Sequence, residues 1–169
     1  MNLKHISSNR SRLLQALLLL FVTLSFAACK DDSVDQKVKD DKQIQQYFQA
    51  NNIDPATVTK TSSGLYYQVL EEGTGDKVFP GDRVKVHYVG TFLNGTKFDS
   101  SRDRNEPFEL TVGRSNVISG WHEALALMKD GEKARFFIPS HLGYGRTGGG
   151  AIPPNSPLIF EIEVLEILP

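Results

Sequence analysis

Aromatic residues recur where the chain alternates apolar and polar side chains or opens a short helix: Tyr88, Phe98, Phe108, Trp121, Tyr144 and Phe160. Few polar groups accompany them. Asp99 directly follows Phe98, and Arg104 lies a short way further on. A carboxylate beside an apolar wall needs a partner, and Arg104 and the Tyr88 hydroxyl are the obvious candidates. Each ring taken alone is more readily core than site. Their combination with a long loop between Pro139 and Pro157, rich in Gly and Pro, points to an apolar binding pocket. Other chemistries fit poorly. His87, His122 and His141 are scattered, without a Cys partner or i,i+4 pairing, which argues against a metal site. No Ser sits in a nucleophile elbow, and the run Gly145–Gly150 lacks the Lys-Ser/Thr ending of a phosphate loop. His122, beside Trp121, reads as a surface helix residue and not as a base. No cofactor is required.

The elements that must position these residues are mostly strands. From Gly64 onward the apolar pattern has period two, the mark of half-buried strands. Leu65–Glu71 is the first, and Arg83–Phe92 alternates Val84, Val86 and Tyr88 against Arg83, Lys85 and His87. Asn94-Gly95 then makes a hairpin turn, since both residues tolerate positive φ. Phe108, Leu110 and Val112 form the next strand, and Ala134, Phe136 and Ile138 another, alternating with Arg135 and Phe137. In the last, Leu158–Leu168, the phase slips at Leu165, which predicts a bulge or a doubly covered end. Between the third and fourth strands Trp121, Leu125 and Met128 mark one apolar helix face. Ser119 is the expected N-cap, and Lys129-Asp130-Gly131 the stop. The fold class is therefore α+β, one short helix packing across an antiparallel sheet.

The chain has 169 residues, suggesting one domain plus extra segments, and a net charge of -1 from 19 basic and 20 acidic residues, so nothing points to nucleic acid. Residues 1–28 read as an export signal. A basic start runs to Arg12, an apolar stretch covers Leu13–Phe26, and Ala27-Ala28 precede Cys29, the only cysteine. An apolar run of about 14 residues is short for a membrane span, which needs about 20. The segment resembles a bacterial lipoprotein signal, implying that Cys29 is lipidated and anchors the protein to a membrane, with Phe26 a departure from the usual residue three before the cysteine. An ordinary secretory peptide is the alternative. With no second cysteine, the exported domain holds together without disulfides. Lys30-Asp31-Asp32 looks like a signal for the outer face of the outer membrane; a plain charged tether competes with it.

Residues 29–41, where acids and lysines alternate, read as a solvated tether. Over 42–61 lie a short amphipathic helix and a linker. Ile44, Tyr47 and Phe48 share one face, Asp40 or Asp41 is the expected cap, and Asn51-Asn52 with Asp54-Pro55 ends the helix. So short a helix is marginal alone, so it docks on its own domain (62–169) or serves as a homodimerisation or client-holding element.

A set of motifs then identifies a family. Val86-His87-Tyr88-Val89-Gly90, Gly95-Thr96-Lys97-Phe98-Asp99-Ser100-Ser101, Val117-Ile118-Ser119-Gly120-Trp121, Met128, Gly131-Glu132, Ile138-Pro139, Gly143-Tyr144-Gly145 and Ile152-Pro153-Pro154-Asn155 occur in order over about residues 64–169. Together they resemble the FKBP-type peptidyl-prolyl cis-trans isomerases. The resemblance implies a twisted five-stranded antiparallel sheet wrapped around the short helix, with a pocket between them. It implies Trp121 as the floor for a prolyl ring, Tyr88, Phe98, Phe108 and Phe160 as walls, and Val117, Ile118 and Ile152 completing the pocket. The Ile118 N–H and the Tyr144 hydroxyl would bond substrate carbonyls, and Asp99, with Arg104 beside it, would be the acid nearest the twisting amide. Partners implied are proline-containing polypeptides and macrolide inhibitors. The Gly148–Ala151 tip is about one residue shorter than in well-known members and lacks a bulky ring, which weakens the expectation for macrolides most. A binding module that holds clients without turnover is the alternative function.

Overall fold

The structure, a computed structural model, describes residues 32–169; the export signal, Cys29 and Lys30-Asp31 lie outside that range. In chain order the elements are helix α1 (Asp32–Ala50), a 3-10 turn (Pro55–Thr57), β1 (Thr59–Lys60), β2 (Tyr66–Glu71), β3 (Arg83–Phe92), β4 (Lys97–Ser100), β5 (Phe108–Thr111), helix α2 (Ser119–Leu127), β6 (Lys133–Ile138), a second 3-10 turn (Ser140–Leu142) and β7 (Leu158–Leu168).

The strands form one antiparallel sheet in the order β1-β2-β6-β7-β3-β4. β5 pairs with the first half of β3 and β4 with its second half. Seven strands thus stand where five were expected. Of the two additions, β1 has only two residues, and in β4 the register shift at Phe98 breaks the alternation that would reveal it. β3 and β7 form the longest ladder, from Arg83↔Leu168 to Phe92↔Leu158. Its register shifts where Lys85 faces Glu166 and Val86 faces Val164. Leu165 is the extra residue, so the break in apolar phase is a β-bulge.

Alternation along the strands buries both faces of the sheet. Phe136 and Phe160 point with Ala134, Ile138 and Ile162 into the main core under α2. Their neighbours Phe137 and Ile159 point the other way, into a second cluster with Tyr66 and with Ile44 and Phe48 of α1. Phe48 meets Phe137 edge-on with ring centroids 4.7 Å apart. Burying a side chain such as Ile44 or Phe48 stabilises by about 1.5–3 kcal/mol relative to exposure, enough to hold a helix that would be marginal alone. The N-terminal helix therefore docks on its own domain.

That helix also begins earlier than its composition suggests. Residues 32–41 continue α1 without a break, which corrects the reading of a solvated tether there. Asp40 and Asp41 accordingly lie inside the helix and do not cap it. The segment has no Gly or Pro to interrupt a helix, and it shares the docked face: Asp40 is fully buried and falls on the same face as Ile44 and Phe48. Val34 and Val38 remain exposed. At the other end Asn52 adopts φ 53 and the Ile53 N–H bonds the Phe48 carbonyl, a Schellman-like stop.

α2 buries Gly120, Trp121, Ala124 and Leu125 against the sheet. Its N-cap position is Ile118, not Ser119, whose hydroxyl instead donates to the Leu142 carbonyl. The helix closes at Met128, ahead of the expected stop, and Gly131 with φ 76 serves the turn into β6.

Candidate functional site

The site begins with a row of residues across the sheet. Gly90 in β3 faces Phe160 of β7 on one side and Asp99 of β4 on the other. A Cβ on Gly90 would come within 2.7 Å of the Phe98 ring and 2.9 Å of the Phe160 ring, so only glycine lets the two rings close over β3. The β3–β4 register shifts between Gly90 and Thr91. Phe98 and Asp99 are therefore not forced to opposite faces, and both reach the same cavity.

That cavity, of about 330 Å³, is lined by Tyr88, Phe98, Asp99, Phe108, Val117, Ile118, Trp121, Tyr144, Ile152 and Phe160, together with Asn116, Gly149 and Ala151. Trp121 is its centre. Tyr88, Phe160 and Phe108 meet it nearly edge-on, with centroids 5.0, 5.3 and 5.9 Å away. Edge-to-face rings hold one another at defined angles, so the concavity is preformed. Trp121, Tyr88, Phe160 and Ile152 are buried, whereas Phe108 and Tyr144 are 37% and 40% exposed at the rim.

The polar edge of the cavity is a three-residue cluster. The Tyr88 hydroxyl donates to Asp99 Oδ2 at 2.5 Å, Arg104 pairs with Asp99 Oδ1, and Arg104 Nη2 donates to the Tyr88 hydroxyl at 2.9 Å. Arg104 is not part of the lining; it holds Asp99 and Tyr88 from the solvent side, 5.9 Å from the Tyr88 ring centre. Burial pushes the Asp99 carboxyl up, but the hydrogen bonds from Tyr88 and Arg104, the Arg104 charge and the Ser100 N–H outweigh it and leave it below the ordinary value. Burial, then the bond to Asp99, raises the Tyr88 phenol. The cluster at neutral pH is thus a carboxylate, a protonated phenol and a guanidinium. It can orient and polarise a bound group; it holds no proton ready for transfer.

Several further residues support this arrangement. Buried Ser101 accepts the Tyr88 N–H through its hydroxyl at 2.8 Å and donates its own N–H to the Tyr88 carbonyl, fixing that stretch of β3. His122 is a brace. Its Nδ1 accepts the Gly113 N–H at 2.9 Å and its Nε2 meets the Ser115 carbonyl at 3.1 Å, securing the loop that delivers Val117 and Ile118. Tyr144 is presented by the turn after β6, where the Gly143 and Gly145 N–H groups both bond the Ser140 carbonyl. Gly149 lies against it: a Cβ there would sit 2.8 Å from the Tyr144 ring. Gly149 and Ile152 exchange backbone bonds, closing the loop tip as a tight turn.

Comparison with known proteins points to one family. A sequence model described as FKBP-type peptidyl-prolyl cis-trans isomerase matches residues 75–165. An FKBP-type peptidyl-prolyl cis-trans isomerase, FkpA, of Aeromonas hydrophila is 48% identical over 77% of this chain, a match that spans 47% of its own length. An FK506-binding protein of Neisseria meningitidis serogroup B is 49% identical over 62% of this chain and 96% of its own. Among solved structures, FkpA from Escherichia coli has a TM-score of 0.68 at 34% identity, covering 98% of this chain and 75% of that one. AtFKBP13 has a TM-score of 0.63 at 34% identity, covering 66% and 98%.

Proposed function

This chain belongs to the FKBP-type peptidyl-prolyl cis-trans isomerase family, and from that premise we propose that it accelerates X-Pro isomerisation in exported polypeptides by seating the prolyl segment on Trp121. The observation that carries the reading is the ring-walled cavity over Trp121 with one paired carboxylate at its edge. The reaction breaks no bond. It must cross a barrier of about 18–20 kcal/mol that arises from amide resonance, and uncatalysed it takes tens of seconds or more.

The planar amide is charge-separated across O, C and N, and the twisted transition state loses that separation. An apolar cavity therefore disfavours the planar form relative to the twisted one, which is differential binding. Tyr88, Phe98, Phe108, Val117, Ile152 and Phe160 supply the walls. The Ile118 N–H and the Tyr144 hydroxyl hold the flanking carbonyls of the planar and the twisted segment alike, which seats it in the cavity. Asp99, fixed by Tyr88 and Arg104, biases the polarity of the amide without exchanging a proton. Macrolides would enter the same cavity, with a weaker grip from the small Gly149–Ala151 rim.

We further infer that Cys29 is lipidated and that the domain works at a membrane outside the cytoplasm, on the strength of the basic, apolar, small-residue pattern that precedes it. Metabolic labelling with a fatty-acid probe, lost in Cys29→Ser, tests this. Protease added to intact cells tests surface exposure; a protein cut only after lysis sinks that part. Pairing of two copies through α1 would fall to Val34 and Val38, the large apolar side chains that helix leaves exposed.

The deciding experiment on function is peptide X-Pro exchange measured by NMR with the parent chain, Trp121→Ala and Asp99→Val, each checked for folding. Catalysis that falls in both variants supports the proposal. A parent that binds proline peptides but does not speed exchange overturns it in favour of a client-binding module.

A further inference from the structure

α1 is anchored to the sheet by two sets of contacts that need nothing from Asp40. Ile44 and Phe48 pack on Phe137, Tyr66 and Ile159. Asp41 takes the Tyr66 hydroxyl at 2.6 Å and pairs with Lys60. Yet Asp40, just ahead of these anchors in the helix, is a carboxylate with no exposure at all. Such a group is costly to bury unless its oxygens are satisfied. An apolar residue would serve packing better.

Its partners show where it acts. Oδ1 accepts the Gln36 side chain at 2.6 Å, while Oδ2 accepts both the backbone N–H of Ser140, at 2.8 Å, and the Ser140 hydroxyl, at 2.6 Å. Ser140 is itself 1% exposed and opens the 3-10 turn after β6. Its carbonyl accepts the Gly145 N–H at 2.8 Å and the Gly143 N–H at 3.0 Å, the two residues that flank Tyr144. The chain of contact runs from a helix carboxylate through both polar ends of one serine to the turn that carries a cavity-lining hydroxyl. These are bonds to a charged acceptor, stronger than neutral ones, and they are made across 100 residues of sequence.

We propose that Asp40 is a positioning residue for the pocket: by fixing Ser140 it sets the turn that presents Tyr144, so that α1 forms part of the working site. The proposal rests on the reading of Tyr144 as a group that holds a substrate carbonyl. Because Tyr144 would grip bound peptide and its twisted form alike, loosening its turn weakens substrate binding and leaves the bound-state rate near the parent's.

The test uses the full chain in four forms: parent, Asp40→Ala, Asp40→Asn and Ser140→Ala, with Lys42→Ala as a control on the exposed side of α1. Amide hydrogen exchange is read at Gly143 and Gly145, and KM and kcat are read separately on a prolyl peptide. Asp40→Ala is expected to speed exchange at those two amides about tenfold, with Tyr88 and Ile162 in the sheet unchanged. KM should rise about three- to fivefold with kcat within about twofold of parent. Ser140→Ala, which keeps the backbone bond, should give a smaller shift of the same kind. Asp40→Asn, which keeps an acceptor toward Ser140, should restore most of the protection, and Lys42→Ala should change nothing. Exchange at Gly143 and Gly145 that stays at the parent rate in Asp40→Ala, or rises equally throughout the sheet, overturns the proposal. If the parent shows no isomerisation, the reading of the pocket fails, while the exchange data still decide whether Asp40 sets the turn.

Discussion

The molecule builds the same polar device twice. On one side of the sheet Tyr88 donates to Asp99, which Arg104 pairs; on the other Tyr66 donates to Asp41, which Lys60 pairs. In both the cation lies near the ring of the tyrosine, 5.9 Å for Arg104 and 5.0 Å for Lys60. Burial raises both carboxyls and the hydrogen bonds pull both below the ordinary value. What differs is the surroundings. The Tyr88 ring faces Trp121, Phe108 and Phe160 across a cavity. The Tyr66 ring is 4% exposed and covered edge-on by Phe48 at 5.4 Å. The cleft beside Asp41 and Lys60 is walled by Lys37, Val38, serines, Gly64, Pro139 and His141, with no phenyl, phenol or indole ring. Shifted ionisation marks a candidate site only with a probability. Here one cluster borders an apolar cavity and the other latches a helix, and the titration of neither tells them apart.

The sharpest way to break that comparison is to remove the central ring on each side. Trp121→Ala should lower kcat/KM about a hundredfold or more, since it removes the surface that fixes the prolyl ring. Phe48→Ala should cost a similar amount of stability, about 3–5 kcal/mol, but lower kcat/KM only several-fold and through KM. Denaturant midpoints and peptide exchange rates, measured side by side, decide the matter. Equal kinetic losses would mean that the two faces are not distinct.

Smaller, and aimed at the charges, is the pair Asp99→Asn and Asp41→Asn. The first should reduce kcat/KM about tenfold, a modest part of what positioned polar groups contribute in active sites. The second should leave kcat near the parent value and lower stability by about 1 kcal/mol or less, because the Asp41 pair is solvent-screened. A loss of kcat in Asp41→Asn would undo the assignment of that cluster as a latch.

Legibility followed the range of the interactions. Val84, Val86 and Tyr88, or Ala134, Phe136 and Ile138, announce a strand because alternation is local, and the slip at Leu165 announces its bulge for the same reason. The cavity residues were readable once their motifs were set beside a family, and sheet, helix and loop together bring Tyr88, Phe98, Asp99, Phe108, Trp121, Tyr144 and Phe160 to one place. The length of α1 was not readable. Asp35, Lys37, Lys39 and Asp41 look solvated, and what holds their segment on the sheet is Asp41 meeting Tyr66 and Lys60, with Ile44 and Phe48 packed a turn or two further on, partners that no local window contains. Phe137 is a like case. Its place on the outward face of β6 makes sense only when Phe48 covers it.

The pH dependence should be alike for the two clusters. A carboxyl whose folded pKa lies below its unfolded value contributes stability above the unfolded value, lost as pH falls through the folded one. Asp99 and Asp41 are both lowered from 3.8. Stability and kcat/KM should therefore hold together down to about pH 4 and decline together below it, followed by denaturant unfolding and peptide exchange over the same buffers. A decline in kcat/KM centred well above that, with stability intact, would mean that the Asp99 carboxyl is raised and not lowered, against the cluster as described.

The smallest expected effect lies at the rim. A methyl group on Gly149 would stand 2.8 Å from the edge of the Tyr144 ring, closer than carbon atoms settle, so Tyr144 must turn or the tip must move. Tyr144 is 40% exposed and can turn at little cost. Gly149→Ala should thus raise KM about two- to threefold, with kcat and the unfolding midpoint almost unchanged, as expected for a contact made equally to bound and twisted substrate. Nothing comparable is available on the latch side, where Tyr66 is packed under Phe48 and has no room to yield. A large loss of stability in Gly149→Ala would show the rim to be as tightly packed as the latch.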